Sequence, residues 1–94
     1  MITRDDVIEK LKTVIDPDIG LDVWTLGFIY EINIKGNDVH ILMTLTTPLC
    51  PLQSYLKDEV EQAVQSLGFE TVFVQITFDP PWKPPEKVRE MIGI

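Results

Sequence analysis

Residues 28–46 alternate apolar and polar side chains on both sides of Gly36-Asn37-Asp38, the signature of an antiparallel β-hairpin. Tyr30, Ile32 and Ile34 alternate with Glu31, Asn33 and Lys35 on the first arm. On the second, Val39, Ile41, Met43 and Leu45 share a face opposite His40, Leu42, Thr44 and Thr46. An isolated hairpin is at best marginally stable in water, so this one needs further strands or helices against its apolar face. The chain offers both. Leu52, Tyr55, Leu56, Val60, Ala63, Val64 and Leu67 form a helical stripe that Gly68 is placed to stop. Near the start, Thr3 with Asp5, Asp6 and Glu9 reads as a capped helix N-terminus. Val7, Ile8, Leu11, Val14 and Ile15 then give that helix one apolar face, which Asp16-Pro17 ends.

Residues 16–27 read as irregular, punctuated by Pro17, Gly20 and Gly27. Residues 71–79 predict a third strand with Val72, Val74, Ile76 and Phe78 facing one way. It ends in Asp79-Pro80-Pro81-Trp82-Lys83-Pro84-Pro85, which cannot continue a ladder. A short helix over residues 86–92 follows. The predicted fold class is α+β: a two-layer α/β sandwich in the order α-β-β-α-β, with helices on one face of a three-stranded sheet. One domain spans residues 1–94, with a proline-rich arm over 79–94. The pattern leaves open on which side of the hairpin the third strand lies.

Between the second strand and the long helix stands Pro48-Leu49-Cys50-Pro51, which holds the only cysteine in the chain. With Pro51 as first helical residue, where proline is favoured, Cys50 takes the N-cap position. That position normally holds an oxygen acceptor. A thiolate there faces free N–H groups and the positive end of the helix dipole, which favours the ionised, metal-binding form. The plainer reading is a small buried hydrophobe. One cysteine cannot supply the roughly four ligands of a zinc or iron–sulfur site, so a metal held through Cys50 must be shared.

The neighbouring candidates have plain readings too. Thr46 and Thr47 could donate hydroxyl bonds to a thiolate or a bound group, whereas Thr44 reads as strand. Asp16, Asp18 and Asp22 read as solvated turn formers, with Asp16 also able to lie near Cys50 as an acceptor or hard ligand. Asp79 has the same two readings. His40, the single histidine, falls on the polar face and too far along the strand to pair with Cys50. Trp82 lies in a stiff arm suited to cover an edge or pocket.

Fifteen acidic against 8 basic residues give a net charge of −7, with the basic residues scattered. This argues against nucleic acid and against an anionic membrane surface as partners. No apolar run approaches a membrane span, and no signal peptide is visible. A single cysteine suits a reducing compartment. A cytoplasmic location is the expectation.

Three segments in register carry a resemblance: Asp16-Pro17-Asp18-Ile19 with Leu26-Gly27-Phe28-Ile29-Tyr30; residues 43–51; and Phe78-Asp79-Pro80-Pro81-Trp82. In that order they resemble the metal–sulfur cluster biosynthesis family that includes SufT and the PaaD-type proteins. The resemblance implies a fold of the iron–sulfur cluster assembly type and a non-enzymatic accessory role in assembling or delivering iron–sulfur clusters. It carries Cys50 over as metal ligand and Thr46, Thr47, Asp16, Asp79 and Trp82 as residues around the bound group. The implied cargo is an iron–sulfur cluster or iron, held transiently and shared between chains. The implied partners are assembly proteins, client apoproteins and a second copy in a homodimer. Leu49 stands where the family often has glycine, and Thr25 where an acid often precedes Leu-Gly. The stretch after Trp82 is short and carries no cysteines, which favours a SufT-like over a PaaD-like protein. Two other readings of the residues stay open: a thiol-dependent redox or transfer enzyme using Cys50, and a protein-interaction adaptor.

Overall fold

The computed structural model describes residues 2–46 and 52–92. The elements run α1 (Arg4–Leu11), β1 (Ile15–Asp16), β2 (Leu21–Asp22), β3 (Ile29–Lys35), β4 (Asp38–Met43), α2 (Gln53–Gln65), β5 (Thr71–Ile76) and α3 (Glu86–Ile92). The main sheet has three strands in the order β3-β4-β5. Its β3–β4 pair is the expected antiparallel hairpin, closed between Lys35 and Asp38. The connection through α2 makes β5 parallel to β4, so β4 is central.

The inner face of the sheet and the two longer helices share one core. Val39, Ile41 and Met43 of β4 are almost completely buried, as are Leu56, Val60 and Val64 of α2 and Val7 and Leu11 of α1. The period-2 and period-3.6 stripes of the sequence therefore meet as predicted. Val88 of α3 is also buried, which anchors the end of the proline arm to the same cluster.

Three local expectations are corrected. First, α1 stops at Leu11 rather than at Asp16-Pro17. The Thr13 hydroxyl donates to the Lys10 carbonyl at 2.6 Å and so competes with the continuing helical ladder. Ile15, read as helical, lies instead in β1 and is largely exposed. Second, the segment read as irregular contains a small antiparallel ribbon, Ile15 opposite Asp22 and Asp16 opposite Leu21. Gly20, at φ +83°, turns the chain between its strands. Third, α2 begins at Gln53, with Leu52 as an N-cap residue that makes no side-chain cap bond. The first helical bond runs from Leu56 N–H to the Leu52 carbonyl at 2.9 Å. Cys50 is thus not the N-cap residue. Thr47 and Cys50 themselves lie outside the described residues.

The Thr3 cap of α1 forms as expected. Thr3 N–H donates to Asp6 Oδ2 at 2.9 Å, and Asp6 N–H donates to Thr3 Oγ1 at 3.2 Å. Hydrogen bonds from Thr3, backbone first and hydroxyl second, hold the Asp6 carboxyl below its ordinary value of 3.8. A depressed folded-state value contributes stability that is fully present above pH ~4 and fades as pH falls through the folded value. Asp6→Asn is therefore expected to flatten the acid limb of the stability curve below pH ~4. Urea midpoints measured from pH 7 to pH 2 check this; parallel curves for the two proteins would refute it.

Candidate functional site

One end of the main sheet gathers the segments that stand out in the sequence. Because β4 and β5 are parallel and β3 is antiparallel to β4, their carboxyl ends lie beside the start of β3. At that end Met43 is opposite Ile29 on one side and Ile76 on the other. The ladder extends one step further each way. Thr44 N–H donates to the Phe28 carbonyl at 2.7 Å, and Thr77 N–H donates to the Met43 carbonyl at 2.9 Å. Residues 47–51 connect this end to α2, and Leu52, where the described chain resumes, packs on the core.

Thr46 is exposed, whereas Thr44 is fully buried and carries the ladder one bond past the end of β4. Asp79 is exposed where the chain leaves β5. Its N–H donates to Thr77 Oγ1 at 3.3 Å, a local turn contact.

The arm then crosses the sheet end. Tyr30 donates its hydroxyl to the Pro80 carbonyl at 2.8 Å. Trp82 donates from Nε1 to the Leu26 carbonyl at 2.8 Å, and its ring meets Phe28 edge-to-face with centroids 5.4 Å apart. Gly27 permits this approach. It sits at φ +76°, and a Cβ there would stand 3.1 Å from Pro85 Cγ. Trp82 therefore covers the turn before β3, as expected of a stiff arm suited to cover an edge. Phe28, Tyr30 and the Leu26 carbonyl hold the arm in place, a part that sequence reasoning does not assign to them. Their signal lies inside the Leu26-Gly27-Phe28-Ile29-Tyr30 segment.

Asp16 is 4% exposed. Its Oδ1 accepts from Asp18 N–H at 2.9 Å, and its carbonyl accepts from Ile19 and Gly20 N–H. This is the turn-forming role of its plain reading, but the carboxylate is buried where that reading has it solvated. Asp22 acts alike, accepting Thr25 N–H through Oδ2 at 2.9 Å. Backbone bonds tie the ribbon to the sheet end: Val23 N–H donates to the Val14 carbonyl, and Phe28 N–H to the Val23 carbonyl. These two bonds run through Val14, Val23 and Phe28, while the bonds of Asp16 named above stay within its own turn.

His40 is elsewhere. It lies half-buried in mid-β4 on the outer face, with Nε2 3.1 Å from Gln75 Oε1 and its ring against Phe73. Among the described residues no three His, Cys, Asp or Glu side chains form a group able to hold a metal ion. What the geometry provides is a rim, built from β3, β5 and the arm, at the sheet end where β4 stops. Among the described residues no helix is long and apolar enough to cross a membrane.

Comparison with known proteins gives a consistent result. The model of the family described as iron-sulfur cluster assembly protein matches residues 4–77. The Fe-S protein maturation auxiliary factor of Porphyromonas gingivalis is 37% identical over 82 residues, covering 85% of this chain and 78% of that one. The iron-sulfur cluster carrier protein of Synechocystis is 34% identical over 94 residues, covering 99% of this chain but 27% of the carrier. Among solved structures, the conserved hypothetical protein TM0487 from Thermotoga maritima superposes with a TM-score of 0.87 and 43% identity, covering 99% of this chain and 96% of that one. The matched family span stops short of Trp82 and the rest of the arm.

Proposed function

Because the chain belongs to the iron–sulfur cluster assembly protein family, we propose that it is a non-enzymatic accessory factor that helps assemble iron–sulfur clusters or deliver them to client proteins. Cys50 is the proposed ligand for the cluster or iron in transit, with Thr46 and Thr47 beside it. Asp16, Asp79 and Trp82 shape the surroundings. The observation that carries this reading is the family match over residues 4–77, and the arm that closes over the sheet end where β4 stops agrees with it.

The chemistry of sharing supports a carrier rather than an owner of the cluster. A cluster held by protein alone takes about four soft ligands, and this chain has one thiol. The remaining ligands come from a partner: an assembly protein, the client apoprotein or a second copy of the chain. A ligand set completed only in a complex favours release when the partner changes. The proposed compartment is the cytoplasm, where thiols stay reduced.

The test is Cys50→Ser. Anaerobic reconstitution of the wild-type chain with iron and sulfide is expected to give a visible absorption band, and the variant is expected to lose it while keeping its far-ultraviolet dichroism. In cells the variant is expected to mature client enzymes no better than a strain without the protein. A wild-type band in the variant would remove Cys50 as ligand. Full client maturation would favour the adaptor reading.

A further inference from the structure

The two edges of the main sheet are treated differently. The β3 edge carries Glu31 and Lys35, and its pairing with β4 shifts register between Ile29 and Glu31. Charges and an irregularity of this kind are how proteins keep a strand edge from pairing further. The β5 edge has neither. Residues 71–78 contain no charged side chain, and the β4–β5 register runs without interruption.

The direction of the β5 backbone follows from its pairing. Thr71 N–H donates to the Asn37 carbonyl and Thr77 N–H to the Met43 carbonyl, so the odd-numbered residues turn their backbone groups toward β4. By the period-2 geometry of a strand, Val72, Val74 and Ile76 turn their N–H and C=O groups to the outside. Among the described residues, no other strand pairs with that edge. The same strand presents Phe73, 57% exposed, on the outer face of the sheet beside the His40 ring. An uncharged edge with outward backbone groups and an exposed aromatic is the geometry that accepts an added strand.

We propose that the β5 edge binds an extended segment of a partner protein, with alternating β-branched residues flanked by lysine or arginine. The backbone of Val72, Val74 and Ile76 supplies the ladder, and Phe73 supplies an apolar contact for the alternate side chains. Charge decides the occupant. Glu70 and Asp79 close the uncharged run at its two ends, in a chain of net charge −7. Two copies would each bring a net charge of −7 to such a contact, like charge against like. A segment with basic ends is attracted instead, and the attraction weakens with salt. This assignment does not depend on whether Cys50 ligates a metal.

The test uses the full chain and a synthetic peptide of alternating valine and threonine with two lysines at each end. Residue-resolved amide exchange is the readout. At saturating peptide, the amides of Val72, Val74 and Ile76 are expected to slow at least tenfold, while those of Phe73, Gln75 and Thr77, already bonded to β4, change little. Phe73→Lys, at an exposed position, is expected to weaken peptide binding at least tenfold. Three results would overturn the proposal: no alternation in the protection, equal protection by the same peptide with glutamates for lysines, or protection that rises with protein concentration in the absence of peptide. The last would assign the edge to a second copy.

Discussion

Phe28→Ala is expected to lower the unfolding free energy by about 3–5 kcal/mol, the range for a buried aromatic truncated in a core. Phe28 is completely buried. Its backbone is bonded on both sides, N–H to the Val23 carbonyl and carbonyl from Thr44 N–H, so the site cannot collapse by a simple backbone shift. The ring also meets Trp82 edge-to-face, a pairing that contributes about 0.5–1.5 kcal/mol beyond the area it buries. Against a total stability of roughly 5–15 kcal/mol, such a loss leaves a domain this small near its limit. Urea denaturation of both proteins measures it. A loss below about 1.5 kcal/mol would mean that neighbouring side chains fill the space, contrary to the packing described.

The second large effect belongs to Trp82. Trp82→Ala removes the ring from Phe28 and leaves the Leu26 carbonyl without its indole donor, for a combined cost of about 2–4 kcal/mol. Trp82→Phe keeps a ring and loses only the donor, so its cost is expected near 1–2 kcal/mol. The gap between these variants separates packing from hydrogen bonding. Since Phe28 and Trp82 touch, the double variant Phe28→Ala with Trp82→Ala should fall short of the sum by at least ~0.5 kcal/mol. Strict additivity would show that the arm is held by other contacts.

The legible parts of this fold are those with a long, regular hydrophobic period. The hairpin, α2 and β5 each repeat a pattern over enough residues to name the element and its inward face. The α1 terminus is hidden because Val14 and Ile15 continue the helical spacing, while the Thr13 hydroxyl that ends the helix leaves no periodic trace. The β1–β2 ribbon has two residues in each strand, too few to alternate. Pro51 suggests too early a start for α2, because proline is favoured in a first turn, whereas Leu52 caps without any side-chain bond. Strand order has no local signal at all, since it is settled by the packing of a crossover.

The candidate site divides in the same way. Trp82 is legible as a covering residue because proline stiffness and a large aromatic point to one another. The residues that receive it are not, because a backbone carbonyl such as that of Leu26 has no signature in the sequence. Of the two readings open to Asp16, the described residues bear out the turn former, its carboxylate bonded to Asp18 N–H. Its relation to Cys50 belongs to the proposal.

The bond from Trp82 to Leu26 joins positions 56 apart in the chain, and it has a consequence for synthesis. As the protein emerges from a ribosome, the β3–β4 hairpin can close from neighbouring residues, since its contacts are local. The parallel β5 must wait for α2, and the rim at the end of the sheet must wait longer still, until Trp82 has been added. The motif region is made early and finished late. A nascent chain therefore carries its thiol through the later part of translation without the surroundings proposed to use it, and the proposed cluster-handling state arises only once the arm has returned to the start of the sheet.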